Sequence, residues 1–144
     1  MAVLMLFASC ARQAPKVERL HVEGTALMNE KGDTVELKGM SFGWNVLWPR
    51  FYNASAVKHV VEDWEAEIVR AAIGVEIDDD ECQVQNYLKN PDFGKQCACT
   101  IVDAAIENGV YVLVDWHAHG LHTEAAVEFF TYMADRYKGV PNVI

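Results

Sequence analysis

An alternation of short β-prone runs with helical patterns narrows what this chain can fold into more than any other feature. Val110-Tyr111-Val112-Leu113-Val114 is a nearly continuous apolar run ending in Asp115, as expected of a strand with protein on both faces. Before it, Asn90-Pro91 reads as a helix start, because Asn caps and Pro at the first position loses no hydrogen bond. Phe93, Cys97, Ile101 and Ala105 then recur as one buried stripe, and Asn108-Gly109 suits a left-handed end. After the run, Thr123 is placed to cap a helix with Ala126, Phe129, Phe130, Met133 and Tyr137 inward, closed by Gly139 and Pro141. Two earlier strands, 39–42 and 68–73, flank a helix over 53–64. That helix carries Val57, Val60, Val61 and Trp64 on one face, with Asn53 or Ser55 as its cap. Strands alternating with helices at this spacing make a parallel α/β sheet. The pattern does not choose between a closed barrel and an open sheet.

Ahead of the first such strand, Leu20 to Leu27 and Val35 to Lys38 are β-prone runs around Asn29-Glu30-Lys31-Gly32-Asp33, which predicts a β-hairpin. Residues 1–16 read as a leader rather than as fold. Ala2 to Phe7 is apolar and Ala8-Ser9-Cys10 follows, which resembles the end of a bacterial lipoprotein signal with Cys10 as the lipidated residue. No Lys or Arg precedes the run, and it falls short of the roughly 7–15 apolar residues of a full signal; a truncated signal explains both. That reading implies a secreted, periplasmic or cell-surface protein, touching a membrane only through its lipid. No stretch approaches the roughly 20 apolar residues that span a bilayer. Residues 17–144 are the folded part.

A net charge of −9 gives nucleic acid and anionic membrane surfaces the wrong electrostatic sign, while a neutral polysaccharide stays compatible. Cys97 and Cys99 lie two apart on a predicted helix and do not face each other. A Cys82–Cys97 bridge is geometrically open but unsupported by spacing. The cysteines follow no metal-binding pattern, and buried thiols are expected.

Chemistry is expected where strands end. Alternation puts Ile68, Arg70 and Ala72 on one face, and Leu113, Asp115 and His117 on one face of the next strand. An Arg in an apolar strand requires acceptors for its guanidinium, and Asp115 is a candidate partner. His117 offers one donor and one acceptor, which suits a hydroxyl-rich ligand. His119 and His122 complete a His-x-His-x-x-His series that could hold zinc in another context; Gly120 points to a loop there, and no metal or other cofactor is expected. Trp44, Trp48, Phe51 and Tyr52 follow the first parallel strand, where flat rings can stack on sugar faces or fill core. Trp48 is the preferred platform and Trp44 the second. Trp116 alternates away from Asp115 and is expected under the helices. The acidic run Glu76-Ile77-Asp78-Asp79-Asp80-Glu81 lacks the Gly and the downstream Glu of a calcium loop and reads as solvated.

The segments Gly39-Met40-Ser41, Val69-Arg70-Ala71-Ala72, Val114-Asp115-Trp116-His117 and Pro141-Asn142-Val143-Ile144 occur in the order of the first four strands of a (β/α)8 barrel. Together they resemble the N-terminal half of glycoside hydrolase family 5 endoglucanases. The resemblance implies a partial TIM barrel: three βα units and the start of strand 4, with the hairpin at its bottom. A complete barrel takes about 250 residues. It also implies a retaining endo-β-1,4-glucanase, monomeric when whole, whose two catalytic Glu lie beyond Ile144. Arg70 would orient the nucleophile, and His117, Trp48, Trp44 and His119 would contact the β-glucan. Gly43 and Trp44 stand where the family often carries a His. Two other classes remain open: a non-catalytic carbohydrate-binding or scaffold protein of the same fold, and a doubly wound ligand-binding domain. The latter lacks the Gly-x-Gly-x-x-Gly turn it would need.

Overall fold

In the computed structural model, which describes residues 17–144, three parallel strands are joined by helices in strict sequence order. The elements are β1 (His21–Glu23), β2 (Ala26–Met28), β3 (Gly39–Trp44), α1 (Ala54–Trp64), β4 (Ile68–Gly74), α2 (Pro91–Asn108), β5 (Tyr111–His117) and α3 (Thr123–Tyr137), with a 3-10 turn at Pro49–Phe51. The main sheet runs β3-β4-β5. Arg70 stands level with Ser41 on one side and with Leu113 on the other. A fourth strand begins beside β5, where Val112 bridges Val143 in parallel. Val112 N–H donates to Asn142 O at 2.7 Å, and Ile144 N–H to Val112 O at 3.0 Å. Asn142 is buried and its Nδ2 donates to Val110 O at 2.8 Å, so the start of that strand is fastened by side chain as well as backbone.

Local chemistry sets the boundaries. Asn53, not Ser55, caps α1: its Oδ1 accepts Ala56 N–H at 2.9 Å, and Ser55 Oγ donates to the same oxygen. Asn90 Oδ1 accepts Phe93 N–H at 3.2 Å, Pro91 fills the first helical position, and α2 ends on Gly109 at φ +69°. The start of α3 departs from expectation. His122, in left-handed conformation at φ +40°, holds the cap position without a side-chain bond, and Thr123 is the first helical residue.

The hairpin also differs from the sequence reading. Leu20 to Leu27 is not one strand; it folds back at Gly24-Thr25 to pair β1 with β2, Glu23 opposite Ala26. Gly24 takes φ +59°, the kind of backbone a two-residue hairpin turn demands. The turn at 29–33 still forms, with Asn29 Oδ1 accepting from Lys31 and Asp33 N–H. The return run then pairs only through Thr34 with Met28. Tyr111 Oη donates to Glu18 O at 2.7 Å and Arg19 Nη2 to Gly139 O at 2.8 Å. Glu18 and Arg19, ahead of the hairpin, are therefore tied near the start of β5, at the opposite end from the site.

One cluster holds the sheet to its helices. Val69, Ala71 and Ile73 of β4 and Val112 of β5 join Val57 and Val60 of α1, Cys97, Ile101 and Ala105 of α2, and Phe129, Met133 and Tyr137 of α3. Each fully buried aliphatic here contributes about 1.5–3 kcal/mol. Three expected members lie outside: Ala126 is half-buried and apart from the cluster, and Trp64 and Phe130 are 57% and 44% exposed. Trp64 ends its helix, with His59 at its ring edge 5.8 Å away. Phe130 flanks Phe129, which takes the buried place. Trp116 packs under α3 as expected, 5.3 Å from the Phe129 ring and 4.8 Å from that of Tyr87.

Candidate functional site

Across the sheet from that cluster, β3 and β4 bring one polar residue each, and β5 two, to a common point. Arg70 Nη1 donates to Ser41 Oγ at 3.1 Å, and Nη2 donates to Asp115 Oδ2 at 2.6 Å. His117 Nδ1 lies 2.8 Å from the same carboxylate oxygen and 3.0 Å from Arg70 Nη2. One ring nitrogen cannot donate to Asp115 and accept from Arg70 together. The carboxylate favours the proton on Nδ1, and the Arg70 contact is then proximity rather than a bond. Nε2 is left with its lone pair, as an acceptor. Arg70, Asp115 and His117 keep 34%, 25% and 26% of their side-chain surface exposed, so the network is reachable from solvent.

Aromatic residues surround this network unequally. Trp44, at the end of β3, packs on His117 with ring centroids 4.4 Å apart, and its ring lies 5.9 Å from that of His119. Trp48 is 42% exposed in a cleft of about 530 Å³ that also takes in Met40, Phe51, His59 and Trp64. The Arg50 guanidinium sits 4.9 Å from its ring centroid and 4.6 Å from that of Phe51. Gly43, at φ +69°, comes so close that a Cβ there would meet Trp48 Cδ1 at 2.7 Å. Tyr52 is not a surface platform: it is buried, and its hydroxyl reaches Gly43 O at 2.6 Å and Ala72 O at 2.7 Å. Burial pushes its phenol far above the ordinary range.

The three histidines turn to three partners: His117 to Asp115, His119 to Trp44, and His122 to Glu76 at 3.7 Å. Among the described residues no three His, Cys, Asp or Glu side chains converge as metal ligands. Cys82, Cys97 and Cys99 are free, and burial pushes the Cys97 thiol up to about 11, with Asn45 pulling the other way. Cys10 lies outside the described residues. None of the described helices is long and apolar enough to cross a membrane.

Sequence reasoning missed two residues of this end of the sheet. Asn45 is buried and its Oδ1 accepts Gly74 N–H at 2.8 Å, tying the loop after β3 to the end of β4. Glu76, read as part of a solvated acidic run, instead crosses to the loop after β5 and accepts Gly120 N–H at 2.9 Å and His119 N–H through the same Oε1. Burial pushes its carboxyl up, but these amides, its own amide and His122 outweigh that and hold it below the usual carboxylate value. An Asn directly after the first parallel strand was the available signal for the first; nothing in the acidic run marked the second. Elsewhere in the run, Asp78 pairs with Lys89 and Asp79 accepts Glu81 N–H, as a surface loop should.

Parallel strands in sequence order, helices on one face and a polar cluster at the C-terminal strand ends are the features of a segment of a (β/α)8 barrel. Comparison with known proteins bears this out. The family model of cellulase (glycosyl hydrolase family 5) matches residues 28–144, and the chain belongs to that family. It is 37% identical over 134 residues to endoglucanase Z of Dickeya dadantii, covering 89% of this chain and 30% of that protein. To an endoglucanase of Clostridium saccharobutylicum it is 30% identical over 99% of this chain and 33% of the relative. A solved structure from Cytophaga hutchinsonii superposes with a TM-score of 0.80 at 40% identity, covering 87% of this chain and 39% of that one. The catalytic domain of Thermobifida fusca endoglucanase Cel5A gives 0.76 at 29% identity, over 88% and 41%. A substituted form of that domain has been solved in complex with cellotetraose. The chain thus spans about a third of the length of the curated relatives named here.

Proposed function

We propose that this chain is the N-terminal half of the catalytic domain of a secreted, retaining endo-β-1,4-glucanase. The observation that carries the reading is the Arg70–Asp115–His117 network, held at the C-terminal strand ends with Nε2 of His117 free to accept. In this role Nε2 accepts a sugar hydroxyl beside the scissile bond, with Trp44 fixing the ring from behind. Arg70, anchored by Asp115 and Ser41, aims its guanidinium at a carboxylate supplied by a later strand. Retention needs two carboxyl groups about 5–5.5 Å apart, one attacking the anomeric carbon and one protonating the leaving oxygen. Asp115 is committed to Arg70 and His117; the resemblance to family 5 endoglucanases implies that the two catalytic Glu lie in the later half of the domain. Trp48 and His119 complete the glucan contacts, and Trp48 stacks on sugar once Arg50 swings aside. The relatives' names support this reading, as does the cellotetraose held by the Thermobifida fusca domain.

The test is to read the gene past Ile144, purify its whole product, and measure reducing-sugar release from carboxymethylcellulose, mannan and xylan. Release from carboxymethylcellulose is expected, and residues 1–144 alone should release none. Cellotetraose bound without hydrolysis by the whole product would favour a binding-only protein instead. Secretion through a lipid on Cys10 belongs to the same proposal, and incorporation of labelled palmitate, lost in Cys10→Ala, checks it.

A further inference from the structure

The loop after β5 carries His119 and leads from His117 into α3, yet its backbone has few ties of its own. His117 O accepts Val75 N–H at 3.2 Å, and His122 O accepts Ala126 N–H at 2.9 Å. Between them, the hydrogen bonds recorded for the backbone amides are those of His119 and Gly120 to Glu76 Oε1. Two successive amides turned on one oxygen form a small anion-binding nest, and here its occupant is a side chain of the protein. Glu76 stands two residues past the end of β4, so the bond spans the mouth of the sheet from one strand-end loop to the next. Its other oxygen, Oε2, is buried without a hydrogen-bond partner, with His122 Nε2 at 3.7 Å.

We propose that Glu76 is a positioning residue for the substrate histidines. Its carboxylate fixes the backbone of His119 and Gly120, which holds the His119 ring against Trp44 and, through Trp44, the His117 ring against Asp115. The inference rests on the endoglucanase reading above, because it assigns Glu76 to the binding side of that reaction. Released, the loop would still join β5 to α3, and the buried cluster behind the sheet would be untouched. The cost should therefore fall on substrate binding rather than on folding.

The experiment uses the whole gene product, wild type against Glu76→Ala, Glu76→Gln and Glu76→Asp, with cellotetraose as substrate. For Glu76→Ala, KM should rise about tenfold with kcat changed less than threefold, as for loss of a charge-assisted hydrogen bond on the binding side. Glu76→Gln keeps an acceptor at Oε1 and should recover most of the loss; Glu76→Asp is one methylene short and should not. The backbone amide resonances of His119 and Gly120 should shift in the Ala variant, while near-UV circular dichroism stays that of wild type. A wild-type KM in Glu76→Ala, or a kcat loss at constant KM, overturns the inference. If Glu76→Ala does not fold, Glu76→Asp decides, and unchanged KM with unmoved amides there overturns it equally. Failure of every substituted form to fold makes Glu76 a stability residue and also overturns it. An inactive wild type with normal folding would instead defeat the endoglucanase reading itself.

Discussion

On the helix-facing side of β4 and β5, Val69, Ala71, Ile73 and Val112 are fully buried against Ile101, Phe129 and their neighbours. On the other side, the alternate residues Arg70, Leu113, Asp115 and His117 all keep contact with solvent. The first face is closed by elements already present, so its free energy is local to this half of the barrel. The second is satisfied internally by one ion pair, one imidazole bond and the Arg70–Ser41 hydrogen bond, and it stays open to solvent. Residues one apart in sequence therefore answer to different demands, stability on one face and recognition on the other.

The sharpest way to break that division is to damage each face in the whole gene product and ask what is lost. Phe129→Ala should have the largest effect, about 3–5 kcal/mol of unfolding free energy in urea, from a buried aromatic removed from a packed cluster. Leu113→Ala, on the open face at 39% exposure, should cost well under half of that; equal costs would erase the distinction. Next comes Arg70→Ala, which should lower kcat/KM for carboxymethylcellulose about 100-fold. Its ion pair is partly solvent-screened, so unfolding should shift by no more than about 1 kcal/mol. Arg70→Lys should not rescue, because a point charge cannot serve Ser41 and Asp115 together with a fixed fork.

A smaller loss, about tenfold in kcat/KM, is expected for His117→Ala, with a normal melting curve. Unchanged kinetics there would move His117 to the structural side. The smallest effect belongs to the buried face at high pH. Burial raises the folded thiol of Cys97 to about 11, above the roughly 8.5 of an unfolded thiol. The resulting stability is complete below pH 8.5 and is lost as pH rises through 11, amounting to under about 1 kcal/mol by pH 9. Urea midpoints at pH 7 and 9, compared between wild type and Cys97→Ala, should show a steeper decline in wild type.

The buried face was legible in the sequence because it obeys periodicity. Cys97, Ile101 and Ala105 repeat at helical spacing, the apolar β5 run has no competing assignment, Asn53 and Asn90 suit helix starts by their side-chain oxygens, and Gly109 suits a helix end by its tolerance of positive φ. Where periodicity and local backbone preference conflict, the reading failed. Leu20 to Leu27 alternates well enough for a strand, but Gly24 admits a turn that alternation does not reveal. Trp64 and Phe130 fit their helical stripes by spacing and lie outside the core because Trp64 ends its helix and Phe129 already fills the site beside Phe130. On the open face, alternation found Arg70, Asp115 and His117. It could not find Glu76, whose partners are the amides of His119 and Gly120, 43 and 44 residues away. A contact from side chain to distant backbone leaves no spacing to read.

The packing of Trp44 on His117 has an optical consequence. Indole emission is quenched by a protonated imidazole in van der Waals contact and recovers when the proton leaves or the ring is drawn away. With centroids 4.4 Å apart, Trp44 is a built-in lamp on the histidine of the Arg70–Asp115–His117 network. The other three tryptophans can be silenced by replacement with phenylalanine, leaving a signal that reports on this corner alone. Ligand arrival, loop release and proton transfer would then each be followed as a change in light, in real time and without an attached dye.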